Sequence, residues 1–361
     1  MKIDTLLKNV VGWESDRNTT DGVVIGSIVR MVRNLPGHPF PGWSSSESRA
    51  AIAEKILPVI RSIRGFKTAF CSEMSKLSYG ERRALLTRKQ LTPSMAARQD
   101  GCYVIIPQRK SIYLMVNEEE HLVAHVFRDG LDLSSGVEEL LALNDLLEDE
   151  LTFAHTSQHG YLTSIPTEAG DGLQLYTVLH LPALSQANMM NQVTKALEKL
   201  HVNISPYYSD AQDDTGHLYV LFSIPGPEDT VDEMIESFEG IIGHLVRREQ
   251  QVRRKLMASP EQHLQDAIAR AYGLLTNCCR LSLKELRDSV SLLRLGTLLG
   301  LIHWDAPERE TLTTLHRFAL SQATETALAA EHGDPGIFLR RARATRDFLN
   351  NHPHRFSDIP A

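Results

Sequence analysis

Asn117-Glu118-Glu119-Glu120-His121 packs more potential chemistry into five residues than any other stretch of the chain. It follows the run Ser111-Ile-Tyr-Leu-Met-Val116, which reads as a β-strand. Successive carboxylates at a strand end repel one another, because residues two apart share a face, and the fold gains nothing from them. Chemistry supplies a reason. Carboxylates hold a divalent cation, or grip a guanidinium bidentately. Glu118 and Glu119 are the candidates for those roles. Glu120 points to the opposite face from Glu119 and is expected to be structural. His121 is expected to be a packed, hydrogen-bonded histidine.

These residues must be positioned by a mixed first half. Val23–Val29 and Cys102–Ile106 are β-branched runs bounded by turn residues, and Ser111–Val116 is predicted to return beside the second as a hairpin. Ser48–Ile63 has helical periodicity, with Ile52, Ile56, Val59 and Ile63 on one face. Helices are predicted over Val137–Leu151 and Ala187–Leu200, and strands over Leu173–Leu181 and His217–Ile224. From Thr230 helix follows helix to the end, with Ser259 as an N-cap before Pro260. The pattern implies an α+β domain over 1–255 and an all-α domain over 256–361.

The bulk numbers exclude several function classes. A length of 361 residues allows two domains. A formal net charge of −7 leaves no electrostatic footprint for nucleic acid. Cys71, Cys102, Cys278 and Cys279 lack metal-ligand spacing and read as reduced thiols of a cytosolic protein. No stretch approaches the roughly 20 apolar residues that span a bilayer, and the charged N-terminus is not a signal peptide. The expectation is a cytoplasmic protein that binds neither nucleic acid nor membrane.

Several long motifs resemble the phosphagen (ATP:guanido) kinases. Asn117–Val123 is similar to the family signature Asn-Glu-Glu-Asp/Glu-His-Leu-Arg, with Val123 in place of the closing Arg. Val23–Pro41 resembles the Ser-Ser-Arg-x-Arg-x-x-Arg-Asn segment, and Gly160–Leu184 resembles the Gly-Tyr-Leu-Thr-Ser-Cys-Pro-Thr-Asn segment with its trailing His-Leu-Pro-Ala-Leu. Leu286–Ile302 is similar to the helical domain of one branch, the bacterial protein-arginine kinases of the McsB type. No small helical domain precedes the first motif, which also points to that branch. The resemblance implies a curved antiparallel sheet flanked by helices, with ATP and Mg²⁺ on its concave face. It also implies a C-terminal domain for dimerisation and phosphoarginine recognition. The partners it implies are client proteins or a Clp unfoldase, a zinc-finger adaptor and a second copy of the chain.

Phosphoryl transfer to a guanidinium rests on positioning and electrostatics, with arginines and Mg²⁺ neutralising the phosphates. By resemblance, Glu119 contacts the guanidinium and Glu118 helps to organise magnesium. Ser27, Arg30 and Arg33 are retained nucleotide-site positions, whereas Ile28, Val123 and Gln174 stand where the family has arginines. Ile165 and Glu168 replace the Cys and Asn of the Cys-Pro-Thr-Asn turn, and Lys89 stands where a family histidine is expected. Asp210 or Asp213 is the nearest substitute for a second substrate-gripping glutamate, in a loop without its glycine frame. Arg128 reads as a solvated cation rather than a rescue. Loss of one transition-state arginine costs roughly 10³–10⁵ in rate, or about 4–7 kcal/mol. Three losses, even far from additive, remove useful catalysis.

In the C-terminal part, Ile337-Phe-Leu-Arg-Arg-Ala342 stands where the branch carries its phosphoarginine-binding Arg-Asp-x-x-Arg-Ala motif. Arg340 and Arg341 are the residual candidates there. Arg340, Arg343 and Arg346 form a stripe on a helix, expected to be a solvated face. The leading expectation is a pseudokinase that keeps the fold as an interaction platform in Clp-linked protein quality control. The alternative is an active protein-arginine kinase with a rebuilt ATP site, in which Arg30 and Arg33 clamp phosphate.

Overall fold

The computed structural model describes residues 3–8, 22–107, 111–208, 216–223, 230–258, 263–331 and 334–357. After a short helix α1 (Ile3–Lys8) comes β1 (Val24–Arg33), all ten of whose residues are buried. α2 (Ser46–Ser62) starts where the Ser45 side chain accepts a hydrogen bond from the Ser48 amide, satisfying one of the free donors of a first turn. It buries Ile52, Ala53, Ile56 and Ile60. Ile60 thus takes the place predicted for Val59, since Val59 is only half-buried. β2 (Phe70–Glu73), α3 (Tyr79–Thr87) and α4 (Pro93–Ala97) follow, with a Ser78–Glu81 capping box opening α3.

β3 (Tyr103–Ile106) and β4 (Ile112–Val116) pair antiparallel, as predicted, and β4 pairs on with β5 (Leu122–Asp129). α5 (Leu133–Glu148) begins a turn earlier than expected. Next come β6 (His155–Thr156), β7 (Gly160–Tyr161) and β8 (Leu173–His180). The helix predicted over Ala187–Leu200 is α7 (Met190–Glu198), and a short unpredicted helix, α6 (Pro182–Gln186), precedes it. β9 (Val202–Pro206) and β10 (Leu218–Ser223) complete an eight-stranded sheet in the order β2-β3-β4-β5-β1-β8-β10-β9.

The remainder is mostly helical: α8 (Val231–Met257), α9 (His263–Asn277), α10 (Leu283–Leu298), α11 (Glu308–Glu331) and α12 (Ile337–Asn351). It is not wholly so. β11 (Ile302–Trp304) and β12 (His354–Phe356) pair antiparallel, which corrects the all-helical expectation for this part. Ser259, predicted as an N-cap, lies outside the described residues.

Two compact units result, one built mainly on Gly26–Tyr176 and Phe222–Phe238, the other on Thr177–Leu221 and Glu239–Ala361. In the first, α5 packs closely on the sheet because Gly136 has no side chain. A Cβ there would lie 2.8 Å from Val29 Cγ2. In the second, Leu264, Ile268, Leu286, Val290, Leu293 and Leu315 form a buried apolar core among α9, α10 and α11.

Candidate functional site

The pairing of β1 with β5 decides which side chains meet. Ile28 is opposite Phe127, Arg30 opposite His125 and Val32 opposite Val123, while Tyr113 and Met115 of β4 are opposite His125 and Val123. Directly opposed residues share a face, so these eight side chains form one surface. Seven are uncharged, with Tyr113, Val123, His125 and Phe127 all buried. Arg30 is the single cation on it.

Arg30 is already neutralised. Its Nη1 donates to Glu168 Oε2 (3.1 Å) and Gln174 Oε1 (2.9 Å), and Nη2 lies 4.0 Å from Glu118 Oε2. Burial opposes its charge, but Tyr176, Glu168 and Glu118 outweigh that and hold its pKa above the ordinary value. Tyr176 donates to the same Gln174 oxygen (2.7 Å) and stacks on Phe222, with centroids 5.7 Å apart. Burial lifts its phenol pKa to about 12. Reading the sequence gave no role to Glu168 as a partner, to Tyr176, or to His125. The period-two spacing of Gln174 with Tyr176, and of Val123, His125 and Phe127, is the signal that places them on one face.

Arg33 and Ser27 do not join this surface. Three residues apart on a strand means opposite faces, so the spacing that suggested a shared role for Arg30 and Arg33 separates them. Arg33 is 1% exposed. Its Nε donates to Asn144 Oδ1 (2.6 Å), its Nη1 to the Val32 and Asp171 carbonyls (2.7 and 2.9 Å), and its guanidinium lies 3.5 Å over the Tyr161 ring. Burial pulls its pKa down to about 10 despite Tyr161 and Glu148. Gly172, at φ +63°, is required beside it, since a Cβ would lie 2.9 Å from Nη1. Ser27 donates to the Gly130 carbonyl (2.5 Å) and accepts from the Asp132 amide (3.1 Å). Both residues hold β1 to its surroundings through these bonds.

The acidic cluster is a tight loop between β4 and β5, not a strand end. Asn117 takes φ +62°, its amide donates to the His121 carbonyl (3.0 Å), and its side chain donates to the Arg49 and Gly101 carbonyls. The turn sends the three carboxylates to different surroundings. Glu118, 2% exposed, accepts from Thr92 Oγ1 (2.5 Å) and the Glu119 amide (2.7 Å). Glu119 is exposed. Glu120 is fully buried and accepts from Asn34 Nδ2 (2.6 Å) and from the Ser164 amide and hydroxyl (2.8 and 2.6 Å). Burial raises its pKa even so. His121 accepts the Leu35 amide at Nδ1, so Nε2 carries the proton and donates to the Pro39 carbonyl (2.9 Å each). Arg128 pairs with Glu139 and lies 3.9 Å from Asp132. Asp210 and Asp213 lie outside the described residues.

In the other unit, Arg340 is exposed and pairs with Asp334 (2.6 Å) and Glu325 (3.4 Å). Arg341 is 1% exposed and donates to the Leu281 carbonyl (2.7 Å) and Thr326 Oγ1 (2.5 Å). Arg346 donates to the Cys278 carbonyl. The row Arg340–Arg343–Arg346 is therefore not a uniformly solvated stripe, because Arg346 is drawn onto a main-chain carbonyl.

His125 carries a pH signature. Burial, then Arg30, pulls its pKa down to about 3, and its Nε2 makes no hydrogen bond among the described residues. The native state binds fewer protons here than the unfolded chain, whose histidine titrates near 6.5. This stability is complete above about pH 6.5 and is lost as pH falls toward 3. His125→Leu is expected to remove up to a few kcal/mol of that acid sensitivity. Urea midpoints at pH 7 and pH 5 should lie closer together in the variant than in the parent; an unchanged gap counts against a buried neutral imidazole.

The comparisons agree with this architecture. A duplicated taurocyamine kinase from Schistosoma mansoni, with bound transition-state analogue components, superposes at a TM-score of 0.58 and 18% identity, over 76% of this chain and 40% of that protein. Lombricine kinase superposes at 0.55 and 16% identity, over 70% and 72%. These likenesses define the fold as that of the phosphagen kinases. The model of the ATP:guanido phosphotransferase C-terminal catalytic domain matches residues 51–252, and that of the protein-arginine kinase McsB C-terminal domain matches 261–358. The protein-arginine kinase of Shouchella clausii is 27% identical over 97% of this chain and 98% of its own length. That of Desulforamulus reducens is 31% identical over 80% and 82%. The chain belongs to the ATP:guanido phosphotransferase family as a McsB-type member. ATP-dependent phosphotransfer is the activity of that family. Among the described residues, no helix is long and apolar enough to cross a membrane.

Proposed function

We propose that this McsB-type chain has given up phosphotransfer and acts as a cytoplasmic, homodimeric interaction platform in Clp-linked protein quality control. Its partners are client proteins or a Clp unfoldase and a zinc-finger adaptor. One observation carries the loss of catalysis: Arg30, the only cation on the site face among the described residues, is held by Glu168 and Gln174 among apolar neighbours. A triphosphate needs several guanidinium donors and a Mg²⁺ ion. The donor set does not fit that group. Ile28 and Val123 offer no donor, Arg33 is engaged on the other face, and Glu118 already accepts two hydrogen bonds. A phosphate arriving at Arg30 must also displace, or sit beside, the Glu168 carboxylate, and like charges at that distance repel strongly in a buried site.

The second reading is an active kinase with a rebuilt nucleotide site. It is favoured by Glu119, which stands exposed at the loop tip where it can meet a guanidinium. Incubation with ATP, magnesium, the zinc-finger adaptor and an arginine-rich protein separates the two, read by phosphoarginine-preserving mass spectrometry. No product, together with no calorimetric binding of Mg-ATP, is expected. Stoichiometric phosphoarginine that disappears with Glu119→Ala establishes the active kinase instead.

A further inference from the structure

α10 buries a polar set that its apolar packing does not need. Arg287, Ser289, Ser291, Arg294 and Thr297 are each at most 5% exposed. Three of these residues, Arg287, Ser291 and Arg294, line a cavity of about 20 Å³ together with His180, Tyr208 and His316. That is room for one or two waters or a single compact ion.

Arg294 is the telling residue. Its guanidinium donates from Nη1 to the Leu312 carbonyl (2.5 Å), while its Nε has no acceptor among the described residues. Among the described residues no carboxylate acts on it. Burial and the neighbouring Arg253 pull its pKa down to about 10, and only Tyr208 opposes them. Arg253 shows the ordinary solution for a buried cation in the same unit, because its Nε donates to Glu249 Oε1 at 2.8 Å. Arg294 has no such counterpart among the described residues, and a buried cation left uncompensated is strongly destabilising.

His180 adds a second buried atom, Nδ1, that is unpaired among the described residues. It is fully buried, and its Nε2 lies 2.7 Å from Ser291 Oγ, which in turn lies 2.8 Å from His217 Nδ1. Its Nδ1 makes no hydrogen bond among the described residues. Ser291 can donate to His180 Nε2 while accepting from His217 Nδ1–H, which leaves the His180 proton on Nδ1. Burial and then Arg294 hold both His180 and His316 well below the ordinary imidazole pKa, to about 3 for His316. The lining thus combines the guanidiniums of Arg287 and Arg294, the neutral imidazoles of His180 and His316, the Ser291 hydroxyl and the Tyr208 phenol with apolar Leu218, Val290 and Ala319. A water would satisfy hydrogen bonds there but would leave the charge of Arg294 uncompensated; an anion satisfies both.

We propose that this cavity binds one compact inorganic anion of chloride size, held by Arg294 Nε–H and His180 Nδ1–H. The anion fixes α10 against the segments that carry His180 and His316. Thermal unfolding of the full chain in sodium chloride, sodium bromide and sodium gluconate at equal ionic strength tests it. Chloride and bromide should raise Tm saturably, by about 5 °C at high occupancy, relative to gluconate. Crystals soaked in bromide should show an anomalous peak beside Arg294 and His180. Ser291→Asp places a carboxylate in the cavity and should make the melting temperature independent of halide. Arg294→Met, where it folds, should abolish the response. Equal melting temperatures of the parent in chloride and gluconate overturn the assignment, and so does a bromide-soaked crystal without an anomalous peak in the cavity.

Discussion

Arg33→Ala is expected to destabilise the chain by about 3–5 kcal/mol while leaving its response to nucleotide unchanged. The side chain is 1% exposed and supplies three hydrogen bonds, one to Asn144 and two to main-chain carbonyls. Its removal leaves those acceptors buried without a donor and opens a space beneath Tyr161, on which the guanidinium lies. Arg33→Lys should recover little of the loss. An ammonium keeps the charge but cannot reach Asn144 and the Val32 and Asp171 carbonyls with one planar fork. Urea denaturation measures the effect directly. A loss below about 1 kcal/mol would mean that Arg33 is solvated, and would reopen its role as a phosphate clamp.

The contrast with Arg30 shows where reading the sequence succeeds and where it stops. Motif residues identified the family, and the periodicity of Ile52 and Ile56 identified the core face of α2, because both signals are local. Most of the partners of Arg30 and Arg33 lie 111–144 residues away in the chain and follow only from the tertiary fold. The same limit hid the β11–β12 pair, whose three-residue strands lie about fifty residues apart and carry no alternation long enough to notice. The acidic loop misled for a different reason. Met115, Asn117 and Glu119 continue the alternation of β4, but Asn117 turns the backbone to φ +62° and ends the strand. That turn hides Glu120 and exposes Glu119, the separation expected from their opposite faces but reached through a loop and not a strand. The substitution of Glu168 for the family Asn was visible from the motif, whereas its contact with Arg30 was not.

That contact sets the terms for rebuilding a phosphate site. Ile28→Arg, Val123→Arg and Gln174→Arg restore three family cations, and Glu168→Asn releases the fourth, Arg30, from its carboxylate. Without ligand, the fourfold variant should be several kcal/mol less stable than the parent. Val123 carries most of that cost, because it is fully buried between Val32 and Met115 and an arginine there needs both space and an anion. Mg-ATP at a hundred times its Kd should then return about 2.7 kcal/mol by mass action, while the parent melts at the same temperature with or without it. Gln174→Arg with Glu168→Asn is the gentler variant, since both positions keep a polar side chain; it should fold and show a smaller nucleotide-dependent shift. If neither variant gains a shift, the site face does not accept a triphosphate even when its cations are present, and the reading of Ile28, Val123 and Gln174 as former phosphate positions is wrong. Phosphotransfer should stay absent in both, because the segment around Asp210 and Asp213 lacks the glycine-framed glutamate that would align the second side of a guanidinium.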